Sequence, residues 1–177
     1  MAVFTVIDHT EMTGATASWS ETGISSSYDH LLIKASMRSD AAATIAVTGL
    51  VQLNGETTNT NYTYVELRAD SGTPAAQWLS SEATLGYPQM PGASALAATF
   101  GSLTVWIPNY ANTSNFKQVR WFSALENNST TNGEWGIKLN AALWSNTDAV
   151  DEILISPAGG SNFVQYSTFT LYGVKGA

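Results

Sequence analysis

From position 165 to 173 the chain reads Gln-Tyr-Ser-Thr-Phe-Thr-Leu-Tyr-Gly, a period-two alternation that runs to within four residues of the last. On a strand, successive side chains point to opposite faces. Tyr166, Thr168, Thr170 and Tyr172 therefore share one face, and Ser167, Phe169, Leu171 and Gly173 the other. Rings and β-branched residues suit a pleated, half-buried surface, so this terminus is expected to be tied into a sheet.

The same alternation, bounded by Gly, Asn, Ser or Pro, predicts strands over 31–38, 45–53, 62–69, 102–107, 116–125, 134–144, 150–156 and 165–174. Asn54-Gly55, Asn132-Gly133 and Gly159-Gly160 punctuate these runs with residues that tolerate positive φ. No long run carries helical spacing. The expected fold is all-β, an antiparallel β-sandwich of jelly-roll type with about eight strands. At 177 residues the chain suits one domain that buries roughly 70% of its unfolded surface.

Two stretches break the pattern. Residues 1–27 read as an extended N-terminal arm whose short apolar run Val3, Phe4, Val6 and Ile7 could add a strand to a neighbour's sheet edge or serve as this chain's own first strand. Residues 28–177 then form the sandwich. The second stretch, 71–99, carries Pro74, Pro88, Pro91 and Gly92 among alanines, with Trp78, Leu79, Tyr87, Met90 and Leu96 as isolated anchors. A structureless loop of that length is uncommon, so it is expected to hold a short helix or to pack on a neighbouring subunit.

Composition narrows the function classes. Seven Lys and Arg against fourteen Asp and Glu give a net charge of −7, with no basic stripe for phosphates or anionic lipid. Neither nucleic acid nor a membrane is an expected partner. There is no Cys, which removes thiol nucleophiles and Cys-ligated metals. The opening residues lack a basic segment followed by a long apolar one, so the chain reads as a cytoplasmic translation product.

Signals of chemistry are sparse. Asp8-His9 and Asp29-His30 place a carboxylate beside each imidazole, but adjacency in sequence does not make a triad, and no Gly-x-Ser-x-Gly elbow occurs. His30 is expected to close the entrance of a strand. Asp148, Asp151 and Glu152, and Asp70 beside Ser71 and Gly72, offer oxygens without the spacing of a calcium loop, so they read as solvated turns. No catalytic, cofactor-binding or metal-binding residue is expected, and the chain is expected not to be an enzyme. The sequons at Asn61, Asn112 and Asn128 read as chance in a chain rich in Asn and Thr.

Rings stacked on a sheet face are one way to grip sugar. Trp106, Trp121, Trp135 and Trp144 fall in or beside predicted strands and read as core or subunit interface. Trp19 and Trp78 lie in the irregular stretches. With Val3, Phe4, Val6 and Ile7 they are the candidate assembly contacts.

Five local patterns occur in order. They are Tyr28-Asp29-His30-Leu31-Leu32-Ile33; Leu53-Asn54-Gly55 followed by Asn61-Tyr62-Thr63-Tyr64; Ile107-Pro108-Asn109-Tyr110-Ala111-Asn112-Thr113 running into Lys117; Leu143-Trp144-Ser145-Asn146-Thr147-Asp148-Ala149-Val150 leading to Ile153 and Ile155; and the closing run. Together they resemble a family of small β-sandwich virion proteins of tailed bacteriophages. The resemblance covers about 150 residues, from Tyr28 to the end, and each motif is a turn plus a strand. It implies a virion structural protein without catalytic residues, a homotrimer, made in the host cytoplasm and bound to the major capsid protein on the capsid surface as a decoration or cement protein. A tail or receptor-binding protein that touches host glycan is the alternative, as is a free carbohydrate-binding module.

Overall fold

The computed structural model describes residues 2–58, 60–70, 72–131 and 133–176. Among them, twelve strands form two antiparallel sheets. The strands are β1 (Val3–Glu11), β2 (Trp19–Thr22), β3 (His30–Met37), β4 (Ala46–Leu53), β5 (Tyr62–Ala69), β6 (Ala75–Glu82), β7 (Gln89–Pro91), β8 (Gly101–Pro108), β9 (Lys117–Leu125), β10 (Gly136–Trp144), β11 (Glu152–Pro157) and β12 (Thr168–Lys175). The larger sheet has the order β1-β12-β3-β8-β9-β10-β5-β6 and the smaller β2-β11-β4-β7. The antiparallel sandwich is borne out. Its division into eight and four strands does not confirm a jelly-roll winding.

The eight strands expected from alternation are all present, with ends shifted by three residues at most. Pro108, which lacks a ladder donor, closes β8. Asn54 and Gly55 both take positive φ (52° and 63°), and Glu56 N donates to Leu53 O at 2.9 Å, which closes a tight turn after β4. Of the Asn132-Gly133 pair, Asn132 lies outside the described residues, as do Met1 of the arm and Ser71 at the start of the second stretch.

Four further strands occupy the two stretches that break the pattern. Most of the 1–27 stretch is woven into the sandwich and is not a free arm. β1 pairs with β12 from Val3 opposite Lys175 to Glu11 opposite Thr168, with one irregularity between Val6 and Asp8, and β2 pairs with β11. Val3, Phe4 and Val6 are exposed on this edge strand, while Ile7 packs against the core. The 71–99 stretch holds β6, β7 and bends, and none of its described residues is helical.

The core lies between the sheets. Leu31, Ile33, Val105, Ile107, Phe169 and Leu171 of the large sheet are fully buried, as are Val51, Leu53, Ile153 and Ile155 of the small one. Every one of them lies at an alternate position of its strand, as period two requires.

Candidate functional site

Alternation does not say which face of a strand points inward. In the β12-β3-β8 part of the large sheet the apolar face is the inner one. Lys34, Ser36, Ser102, Thr104 and Thr170 point away from the core.

Along β10 and β5 the pattern reverses, while β9 keeps Val119, Trp121 and Leu125 inside. β10 runs without a bulge, in unbroken register with β5 from Ile137 opposite Ala69 to Trp144 opposite Tyr62. Trp144 and Ala142 point inward and are buried, so Asn140 and Lys138 must point inward too, and Ile137, Leu139 and Ala141 outward. On β5, inward Tyr62 and Tyr64 carry Glu66 inside and leave Val65 and Leu67 outside. β6 follows, with Gln77 in and Trp78 out.

The inward polar residues form a connected cluster. Glu66 is 0% exposed. Its Oε1 accepts from Gln77 Nε2 at 3.2 Å and lies 3.5 Å from Lys138 Nζ and 3.9 Å from Arg68, which also faces Asp70 at 3.7 Å. Lys138 Nζ donates to Tyr87 O at 3.3 Å. Burial pushes the Glu66 carboxyl above its ordinary range, against the pull of Lys138 and Arg68.

The segment between β6 and β7 roofs this cluster. Thr84 Oγ1 exchanges hydrogen bonds with the backbone of Val51, Leu85 N donates to Val51 O, and Trp121 Nε1 donates to Leu85 O at 2.8 Å. Gly86 has φ 116° and sits so close that a Cβ there would lie 2.8 Å from both Asn140 Nδ2 and the Trp121 ring. Among the described residues, Glu66 Oε2, Tyr64 Oη and both amide atoms of Asn140 have no protein hydrogen-bond partner.

The outward face at this end is apolar. One cross-strand row runs Trp78, Val65, Ala141, Arg120, Trp106 and Leu32; the next runs Leu67, Leu139, Phe122, Thr104 and Lys34. Trp78 is 69% exposed and Leu139 52%, and Val65, Leu67, Phe122 and Ile137 are similarly bare. Neighbouring strands lie about 4.8 Å apart, so these side chains form one contiguous apolar patch. Leaving each half-exposed forgoes about 1 kcal/mol of the 1.5–3 kcal/mol that full burial would supply. A groove of about 300 Å³ between Trp106, Arg120, Phe122 and Leu139 indents it.

The other candidate residues sort clearly. Trp19, expected at a contact surface, is 3% exposed, stacked on Phe169 at 5.3 Å, with Nε1 donating to Asp8 at 3.4 Å. It is a core residue because β2 belongs to the small sheet. Trp121 and Trp144 are buried, whereas Trp106 and Trp135 are half-buried. His30 heads β3, its Nδ1 accepting from Asn109 N at 3.1 Å, and His9 Nδ1 pairs with Thr170 Oγ1 at 2.8 Å. The flanking carboxylates bond elsewhere: Asp8 accepts from Thr10 and Trp19, and Asp29 from Gly176 N. The 148–152 turn is held by Asn54, whose Oδ1 accepts from Asp151 N and Glu152 N. Among the described residues, no group of three or more His, Asp or Glu is arranged to hold a metal ion, and no helix is long and apolar enough to cross a membrane.

No protein-family model and no curated protein sequence matches the chain. Among solved structures, the potassium-bound carbohydrate recognition domain of Emp46p aligns over 97% of this chain and 88% of its own at 11% identity, with a TM-score of 0.30. The D1-D2-D3 domains of the flagellar cap protein FliD from Escherichia coli align over 100% of this chain, which spans 56% of theirs, at 11% identity and a TM-score of 0.17. Likeness at that level carries no argument about function.

Proposed function

We propose that this chain is a non-enzymatic structural protein of a tailed-phage virion, a decoration or cement protein that binds the capsid exterior as an oligomer, a homotrimer by the resemblance, and stabilises it. The observation that carries the reading is the reversed end of the large sheet: a contiguous apolar patch outside and a polar cluster inside fit a protein whose outer face is covered once assembled. The five ordered motifs supply the virion context and the major capsid protein as partner.

The test is co-sedimentation of the purified chain with heads of the phage that encodes it, assembled without it. Saturable binding at a fixed number of copies per head, with raised resistance of the heads to heat, is the expected result. Absence of binding would remove the decoration role. The exposed ring of Trp78 favours a second reading, a tail protein that touches host glycan, which predicts saccharide binding and no occupancy of heads.

A further inference from the structure

The apolar patch carries a charge signature opposite to that of the chain. Fourteen carboxylates and seven cations give the protein a net charge of −7. Yet among the outward positions of β3, β8, β9, β10, β5 and β6, the charged residues are Lys34 and Arg120, and none is a carboxylate. The outward carboxylate of the sheet is Glu11, on edge strand β1. Arg120 sits in the groove beside Trp106 and Phe122, and Lys34 Nζ donates to Thr104 Oγ1 at 3.3 Å. Among the described residues neither is in an ion pair.

From this we infer that the occupant of the face is a protein surface that is itself apolar and carries carboxylates, and that it is not a second copy of the same face. Two copies laid face to face would bring Arg120 of both into one desolvated layer, with Lys34 at its rim and no counter-charge, an arrangement that costs affinity and selects against self-pairing. A surface with Asp or Glu among apolar side chains instead fills the groove and pairs with a guanidinium whose planar fork suits a carboxylate. The inference deepens the assembly reading above and rests on it only for the partner being the capsid; the chemistry of the partner rests on the face alone.

The test uses surfaces of known chemistry. The intact chain is passed over mixed monolayers of methyl groups with carboxylate, with ammonium or with hydroxyl termini, and retention is read by surface plasmon resonance. In spite of its negative net charge, the wild type is expected to prefer the methyl and carboxylate surface. The double variant Lys34→Glu, Arg120→Glu is expected to bind it on the order of tenfold more weakly, and Leu139→Ser similarly, each with an unchanged denaturation curve. Equal retention on the three surfaces, or wild-type retention by the double variant, would overturn the inference. So would a wild-type oligomer in sedimentation velocity that Leu139→Glu dissociates, which makes a second copy the occupant, or tighter Trp78-dependent capture by a neutral polysaccharide. Carboxylate preference together with no binding to heads would support the inference while removing the virion reading.

Discussion

The two ends of the eight-stranded sheet obey the same alternation with opposite sign. Around β3, Leu31 and Ile33 face the small sheet while Lys34 and Ser36 face out. Around β10, Lys138 and Asn140 face in while Ile137 and Leu139 face out. The first arrangement is that of a sheet packed on one side and wetted on the other. The second leaves apolar surface in water and encloses a carboxylate beside Lys138. What differs is the cover: over Lys138 and Asn140 lies the segment between β6 and β7, with Tyr87 O accepting from Lys138 and Gly86 against Asn140. Under the proposed function, that apolar face is the one that meets a partner.

Removing one member of the buried ion pair is expected to have the largest effect. Lys138→Met should cost about 3–5 kcal/mol in urea denaturation, because Glu66 is left buried with only the longer contact to half-exposed Arg68. The double variant Glu66→Leu, Lys138→Met should recover most of that loss. A cost for Lys138→Met below about 1 kcal/mol, the scale of an exposed pair, would mean that this end of the sheet is not enclosed. Trp19→Ala is expected to cost a similar 3–5 kcal/mol, since the ring fills core between Phe169 and Asp8.

At the conventional end, Ile33→Ala should cost about 2–5 kcal/mol by leaving a cavity between the sheets. Next in size is a pH effect. Glu66 has its carboxyl pushed above the ordinary 4.5 by burial, so the folded state holds that proton more tightly than the unfolded one. Its contribution to stability is therefore fully present below the unfolded value and is lost as pH rises through the folded one. The stability of the wild type minus that of Glu66→Gln should fall as pH is raised from about 4.5, by at most about 1.4 kcal/mol per pH unit. A difference that grows with pH would show that Lys138 outweighs burial. The smallest effect is expected outside: Trp78→Ser and Leu139→Ser should change stability of the free chain by no more than about 0.5 kcal/mol. A loss of several kcal/mol would place these residues in a core.

The reversal marks the limit of what the sequence discloses. Alternation located β5 and β10 to within two residues, since 62–69 and 134–144 read as strands without any structure. Tyr64-Val65-Glu66-Leu67-Arg68 and Ile137-Lys138-Leu139-Asn140 show the period as well, but hydrophobicity taken alone would turn Val65, Leu67, Ile137 and Leu139 inward. The sign is fixed by Tyr62, Tyr64 and Trp144, whose rings share parity with Glu66 and Lys138 and reach the core at the far ends of the same strands. β6 and β2 lack a strand signature for a related reason. Ala75–Glu82 carries a single large ring, and Trp19–Thr22 only four residues, too little for a periodic signal. Trp78 and Trp19 carry the same local signal, yet Trp78 is exposed and Trp19 is buried, because the pairing of β2 with β11 is a long-range contact that local composition does not encode.

The central claim is that the β9-β10-β5-β6 face is the one covered on assembly, and electron cryomicroscopy of heads reconstituted with the purified chain tests it most directly. The expected map shows regular density at symmetry-related capsid sites, with Trp78, Leu139 and Phe122 against the shell. Density with that face turned to solvent, or bare heads, would contradict the account.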